Sequence, residues 1–292
     1  MTLFRQLVQD AARQLELAGV SSPEVDATEL LKFAISSQVG VAGAFDDVSD
    51  EDTERFQSLI DQRVKRIPLQ HLTGVAYFRH LTLQVGPGVF VPRPETELLA
   101  QVGIDYLSSG MVAVDLCAGS GAVALALATE VSGVTVHAVE RSIDAVEYLK
   151  RNVAANAELL SSRSSQVFVH LGDATDQSIL PELFGVCDVV LSNPPYIPAG
   201  MIPREPEVRD FDPEMALYGG DDGFDIARGV IAVAAQLLRS AGVFAMEHAD
   251  VQGPTVNQLF DNAWVQVQDH NDYNDLPRYV VARRNSARIG SS

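Results

Sequence analysis

The sequence predicts an α/β protein: a doubly wound, mostly parallel seven-stranded sheet, preceded by a small all-α N-terminal domain and a β-hairpin linker. Three observations carry this expectation. Residues 1–67 show helical periodicity alone, and residues 75–91 switch to a two-residue alternation. From Pro94 onward, short apolar runs alternate with helical patterns, as consecutive βαβ units do. The expected division is a helical recognition domain over residues 1–74, a hairpin linker over 75–93, a sheet domain over 94–284 and a disordered tail over 285–292.

Each element has a local reason. Leu3, Leu7, Ala11, Leu15 and Leu17 recur among Arg5, Asp10, Arg13 and Glu16, which describes an amphipathic helix and not the uncharged core of a signal peptide. Ser22-Pro23-Glu24 reads as an N-cap with proline at the first helical position, opening a helix through Leu30, Leu31 and Ile35. Asp50 to Arg66 is a third helical stretch with Phe56, Leu59, Ile60 and Val64 on one face. A bundle this small buries little core by itself, which suits a recognition module or lid. Tyr77, Leu81, Leu83 and Val85 alternate with polar neighbours and Gly86-Pro87-Gly88 supplies a turn, so a hairpin is expected. Strands are expected at 111–116, 134–139, 166–171, 187–192, 241–247, 264–269 and 278–282, and helices at 95–108, 121–130, 142–156, 223–238 and 251–261. Ligands of such sheets bind outside the carboxyl ends of the strands.

Composition narrows the function classes. A chain of 292 residues holds roughly two domains, and 47% hydrophobic with 21% charged residues excludes whole-chain disorder. Lysine plus arginine number 21 against 39 acids, a net charge of −18, which argues against broad nucleic-acid binding. The candidate recognition module shares this sign: residues 1–80 hold 8 basic and 12 acidic side chains, net −4. Cys117 and Cys187 cannot build a disulfide framework and have no metal-ligand spacing with a histidine, so both read as small buried hydrophobes in a reducing compartment, with no metal expected. The longest apolar runs fall short of the ~20 residues of a membrane span. A soluble, cytoplasmic monomer with no membrane and no direct nucleic-acid contact is the expectation.

The first sheet strand, Val112-Ala113-Val114-Asp115-Leu116, runs into Cys117-Ala118-Gly119-Ser120-Gly121 and then an apolar helix. Glycines there allow a tight turn and bring backbone N–H groups close to a ligand at a helix N-terminus. The second strand ends in Glu140, 140 − 121 = 19 positions past the last glycine, where an acid can accept both hydroxyls of a ribose. The segment alone leaves three readings open. Gly119, Gly121 and Ala124 fit a nicotinamide dinucleotide fingerprint, a turn with no ligand is a second reading, and S-adenosylmethionine is the third. Asp115 favours the last, because a carboxylate there can meet the cationic methionine end and would repel a pyrophosphate. After the third strand, Asp173 of Gly172-Asp173-Ala174 suits an adenine amino group, or equally a solvent-facing turn.

The fourth strand, Cys187 to Ser192, leads directly into Asn193-Pro194-Pro195-Tyr196. Two prolines fix φ and remove two donors, and Asn193 before a proline is pushed extended. The rigid corner presents the Asn193 side-chain oxygen and the Pro194 carbonyl as convergent acceptors, with Tyr196 as a flat lid. That arrangement suits a planar –NH2 on an sp² carbon, whose delocalised lone pair makes it a poor nucleophile. Two acceptors hold it in line with a methyl donor and favour the positive charge that builds on nitrogen. At the end of the fourth strand, after a glycine turn and an acidic ribose ligand, methyl transfer is the reading that fits best.

Arg66-Ile67-Pro68-Leu69-Gln70-His71-Leu72-Thr73-Gly74, then Phe78, then Val91-Pro92-Arg93-Pro94-Glu95-Thr96-Glu97 resemble the linker and hairpin of the release-factor glutamine methyltransferases, the HemK-type or PrmC family. Asp115 to Gly121, Asn193 to Tyr196, Ala216 to Gly223 and Glu247-His248 match its later blocks in order, so the resemblance spans nearly the whole chain. Asn-Pro-Pro-Tyr alone is shared with DNA and RNA amino-methyltransferases, which leaves adenine or cytosine amino groups as the alternative substrate. The resemblance implies a class I, Rossmann-like methyltransferase domain using S-adenosylmethionine. The implied substrate is the Gly-Gly-Gln glutamine of class I peptide chain release factors, methylated on its side-chain amide nitrogen. It further implies that Cys117, Ala118, Gly119, Ser120 and Gly121 hold the methionine part, Glu140 the ribose, and Asn193 the substrate amide, while the N-terminal bundle grips the release factor. Some positions depart from the family pattern. Cys117-Ala118 stands for the usual Gly-Thr, Glu140 for Asp, and Ala174 for a frequent aromatic residue; Asp275-Leu276-Pro277-Arg278 lacks a common glycine. The acidic run from Met201 to Asp225 reads as a solvated loop that would repel phosphates, and Arg93 with Glu97 as an internal pair.

Overall fold

The computed structural model describes residues 2–35 and 47–286. Most of the expected tail, residues 287–292, lies outside the described residues. Contacts divide the chain into two units: residues 1–75 with 202–211, and residues 76–201 with 212–292.

In the first unit, β1 (Thr2–Leu3) pairs antiparallel with β2 (Asp47–Val48), beside the helices α1 (Phe4–Leu17), α2 (Pro23–Ile35), α3 (Asp50–Val64) and α4 (Leu69–Thr73). The helix periodicity holds for Leu15, Leu30, Leu31 and Ile60, which are fully buried in one apolar cluster with Phe56, but Leu3 and Leu17 at the two ends of α1 are exposed. Ser49 caps α3 by accepting the Asp52 N–H. Arg63 sits in this unit at 5% exposure, with Nε donating to Asp26 Oδ2 at 2.7 Å and Nη2 to Glu207 Oε1 at 2.7 Å. Arg66 donates to both oxygens of the same Glu207, at 2.7 and 2.5 Å. Burial alone would raise the Glu207 carboxyl, yet hydrogen bonds from Arg66 and Arg63 hold it below the usual carboxylate range. Glu207 thus departs from the solvated loop the sequence suggested, whereas Glu205, Asp210, Glu214, Asp221, Asp222 and Asp225 are exposed as expected.

The second unit begins at Ala76, within the hairpin formed by β3 (Val75–Phe78) and β4 (Leu81–Gln84). Leu81, Leu83 and Val85 are buried as the alternation predicts, but Tyr77 is 73% exposed and Ala76 and Phe78 face inward instead. The cause is the hairpin's own turn, which falls at Arg79-His80; Gly86-Pro87-Gly88 makes a separate turn, closed by the Val89 N–H on the Gly86 carbonyl at 3.3 Å. Arg79 takes a left-handed φ of 53°. Its N–H donates to Glu97 Oε1 at 2.7 Å and its guanidinium binds Glu130 and Gln101, so side chains hold a conformation that glycine would adopt freely.

The chain continues as α5 (Thr96–Tyr106), β5 (Val112–Leu116), α6 (Ala122–Glu130), β6 (Thr135–Glu140), α7 (Ile143–Ala155), α8 (Ala157–Ser162), β7 (Gln166–Leu171) and β8 (Cys187–Ser192). After α9 (Pro206–Phe211) of the first unit come α10 (Asp225–Leu237), β9 (Leu238–Glu247), α11 (Gly253–Val256), β10 (Trp264–Asn271) and β11 (Pro277–Arg284). The sheet order is β10-β11-β9-β8-β5-β6-β7, parallel except for β11, which runs antiparallel to both neighbours. All seven expected strands are present. Alternation splits the core into two layers: Val189, Leu191, Val243 and Ala245 join α5 and α6 on one face, while Val190, Phe244 and Met246 join α10 on the other. The helix expected over 251–261 is broken into a 3₁₀ turn, α11 and a second 3₁₀ turn. Pro254 lacks the N–H needed to continue the preceding turn. Among the described residues no helix is long and apolar enough to cross a membrane.

Asn152 of α7 joins the hairpin to the first sheet turn. It is fully buried, Oδ1 accepts the Gln84 N–H at 2.7 Å, and Nδ2 donates to Gln84 O at 3.0 Å and Ser120 O at 2.9 Å. Asn152→Ala strands these backbone groups and is expected to cost about 3 kcal/mol. Urea unfolding should show a lower midpoint at unchanged m; a loss under about 1 kcal/mol would show that the clamp is not needed.

Candidate active site

Strand register assembles the site. Leu116 pairs with Val139 and with Ser192, and Ser192 with Met246, so four parallel strands end in one row. The next residues, Cys117, Glu140, Asn193 and Glu247, therefore emerge side by side at the carboxyl edge. Glu140 pairs with Leu171 of β7, which brings Gly172-Asp173-Ala174 to the same edge.

The turn after β5 is built from left-handed residues: Cys117 at φ 65°, Gly119 at 55° and Gly121 at 88°. Gly121 is required on two counts, since a Cβ there would also collide with Leu149. A Cβ on Gly119 would meet nothing within 4 Å, so the backbone lies open at that point. Glu140 receives two backbone N–H groups, Gly119 at 2.9 Å and Ser142 at 2.7 Å. Asp115 is turned inward at 1% exposure, with Oδ2 accepting the Ala124 N–H at 3.0 Å. Burial pushes its carboxyl up to about 8 and Glu140 adds to the rise, so near neutrality Asp115 carries a proton. Burial and then Glu140 likewise push the Cys117 thiol up. Asp173 Oδ1 accepts from the Thr175 amide at 2.8 Å and hydroxyl at 2.7 Å, and Oδ2 faces Arg141 at 3.3 Å. Ala174 is buried at 5% exposure. An open glycine turn, a paired-acceptor carboxylate and a second carboxylate on one edge fit a nucleoside ligand with a cationic arm.

The corner after β8 is buttressed from behind. The Tyr196 carbonyl accepts Gln252 Nε2 at 3.0 Å, and the Ile197 N–H donates to Leu217 O at 2.9 Å. Gly223 (φ 77°) lies so close beneath that a Cβ would collide with the Tyr196 carbonyl. Asn193 is half-buried with Nδ2 donating to Thr96 Oγ1 at 3.1 Å; among the described residues its Oδ1 accepts no hydrogen bond. Thr96 donates in turn to Glu247 Oε2 at 2.7 Å, and the Tyr196 hydroxyl lies 3.5 Å from Glu247 Oε1. Burial pushes the Glu247 carboxyl up to about 7. Burial and Glu247 push the Tyr196 phenol up, so it remains neutral. Thr96, Gln252 and the part played by Glu247 were not legible as site features, although a carboxylate closing the apolar run Val243–Met246 was a signal.

One expectation is corrected. Arg93 and Glu97 do not pair with each other: Arg93 binds Asp212 at 2.7 Å, while Glu97 holds the Arg79 N–H. Asp212 is buried, which pushes it up to about 6 against the pull of Arg93. With Asp222 and Asp225 on Arg228, several acids of the 205–225 run are internally paired.

Comparison with known proteins gives the class first. A family model described as "Methyltransferase small domain" matches residues 81–202, and one described as "PrmC N-terminal domain" matches residues 6–74. The sheet and corner are thus those of a methyltransferase. The release factor glutamine methyltransferase of Streptomyces coelicolor is 44% identical over 292 residues, covering 97% of this chain and 99% of that one. That of Mycolicibacterium smegmatis is 42% identical over 287 residues, covering 97% and 99%. A 4-amino-L-phenylalanine/4-methylamino-L-phenylalanine methyltransferase of Streptomyces pristinaespiralis is 34% identical over 262 residues, covering 87% and 86%. The chain belongs to the release factor glutamine methyltransferase family.

Two predictions follow from the site's backbone and burial. Cys117→Gly relieves a left-handed non-glycine residue and should raise unfolding free energy by about 1 kcal/mol in urea titration; a decrease would show that thiol packing outweighs the strain. Asp115, Asp212 and Glu247 all have folded values above their ordinary ones, near 8, 6 and 7. The native state then binds more protons than the unfolded chain above about pH 4, so their contribution to stability falls as pH rises from about 4 to 8. The urea midpoint should decline over that window, and less steeply in Asp115→Asn; an equal slope in both would refute the assignment.

Proposed function

We propose that this chain transfers a methyl group from S-adenosylmethionine to the side-chain amide nitrogen of the Gly-Gly-Gln glutamine in class I peptide chain release factors, in the cytoplasm. The observation that carries this reading is the corner at Asn193-Pro194, whose carboxamide oxygen accepts no hydrogen bond among the described residues, set beside the open glycine turn. Asp115, Cys117, Ala118, Gly119, Ser120 and Gly121 form the stretch that would carry the methionine end, with Glu140 for the ribose and Asp173 and Ala174 for the adenine end. The donor, when bound, supplies a methyl carbon already activated by a positive sulfur.

The chain's own residues do the rest by positioning. Asn193 Oδ1 and the Pro194 carbonyl accept the two hydrogens of the glutamine amide, which fixes the nitrogen in line and favours the positive charge that builds on it. Pro195 keeps the corner rigid, and Tyr196 stacks on the conjugated amide plane. The neutral Tyr196 phenol is no base, and none is needed, because the methylated cationic amide is acidic enough to lose its proton to water or to Asn193. The helical unit grips the release factor. Amino groups of DNA or RNA bases share the planar chemistry, but a chain with a net charge of −18 repels phosphates.

Incubating a release factor with the protein and S-adenosylmethionine should add the mass of one CH2 to the loop glutamine. An unmodified glutamine, or methyl transfer to nucleic acid instead, overturns the reading. Asn193→Ala should keep donor binding and lose turnover equivalent to roughly 3–4 kcal/mol, as when an oxyanion-hole donor is removed; full activity in that variant would contradict the grip.

A further inference from the structure

We infer that Thr96 is a positioning residue for this transfer: anchored on Glu247, its hydroxyl takes the amide hydrogens of Asn193 and so keeps the Asn193 carboxamide oxygen available to the substrate. The inference rests on the reading that Asn193 grips the glutamine amide.

The problem it solves is one of symmetry. The two ends of a carboxamide have nearly the same shape, so rotating the Asn193 amide by half a turn costs little in packing. Rotated, it would offer –NH2 to the –NH2 of the substrate, donor against donor, and half of the grip would be lost. Something must set the orientation. The hydroxyl of Thr96 has one hydrogen, and it goes to Glu247 Oε2 at 2.7 Å, which as a carboxylate only accepts. The Thr96 oxygen is left to accept, and it accepts Asn193 Nδ2 at 3.1 Å. Donation therefore runs one way, from Asn193 to Thr96 to Glu247, and the carboxamide oxygen is what remains for a ligand.

Thr96 and Glu247 are both held in place. Thr96 opens α5 at 4% exposure and Glu247 closes β9 at 2%, so neither is a surface contact that water could replace. The charged and titratable groups facing Glu247 are Arg278 of β11, Glu95 ahead of α5 and Tyr196 of the corner. Arg278 favours the carboxylate and Glu95 opposes it, while burial raises it to about 7. Once protonated, Glu247 can itself donate to Thr96, and the one-way order is no longer enforced.

The test compares wild type, Thr96→Val, Thr96→Ser and Glu247→Gln on a release factor with S-adenosylmethionine, measuring kcat, KM and donor Kd, with melting temperature as the check on folding. Thr96→Val should lose kcat by roughly 10- to 100-fold, with KM and donor Kd within about twofold, and Thr96→Ser should restore most of it. Wild-type kcat should fall as pH drops through about 7, and Glu247→Gln, which cannot titrate, should lose that dependence. Wild-type kcat in Thr96→Val, an equal loss in Thr96→Ser, or an unchanged pH profile in Glu247→Gln overturns the inference alone. A wild-type protein that leaves the glutamine unmodified overturns the parent reading, and this one with it.

Discussion

The structure is organised around a shortage of hydrogen-bond donors at one point. Directly after the buried strand Cys187–Ser192, two successive prolines contribute carbonyls and no N–H. The sheet cannot be extended there, and the acceptors of Asn193 and Pro194 have no partner supplied by their own strand. Such a corner stays in shape only if its far side is pinned. Gln252 takes the Tyr196 carbonyl, Leu217 takes the Ile197 N–H, and a glycine at 223 lets the following loop lie flat beneath. Rigidity behind and open acceptors in front are two sides of the same arrangement.

The charge pattern around the corner follows the same logic. The carboxyl edge of the sheet gathers Glu140, Asp173, Glu247 and the buried Asp115. Crowding that many acids is tolerable because they differ in state. Against the upward effect of burial, donors from Thr175 and Arg141 hold Asp173 below the usual carboxylate range, whereas Asp115 is desolvated and held as the neutral acid near pH 7. One carboxyl is therefore desolvated while others are hydrogen-bonded at the strand ends, though nothing in their residue type distinguishes them.

That difference marks how far the sequence could be read. The seven strands and most helices were legible, because apolar runs of the right length and period record burial directly. The Asn193 corner and the Gly119–Gly121 turn were legible because proline fixes the backbone and glycine opens it to positive φ, whatever surrounds them. What could not be read was partnership over long separations. Thr96 meets Asn193 across 97 positions and Arg93 meets Asp212 across 119, and no local pattern signals either. The hairpin shows the same limit: its turn falls on Arg79, which adopts a left-handed conformation only because Glu97 and Glu130 wait for it elsewhere in the chain. Tyr77 faces outward in consequence.

Glu207 adds a point about modularity. Its carboxylate lies in the segment 202–211, which clusters with the N-terminal helices, where Arg63 and Arg66 clasp it. A matched domain ending at residue 74 is consequently not a physical building block. Cut there, the fragment would keep both guanidiniums and lose the anion that binds them, with Asp26 left as a counter-charge to Arg63. Grafting the helices onto another enzyme, or trimming them off this one, requires transplanting a stretch encoded more than a hundred residues downstream.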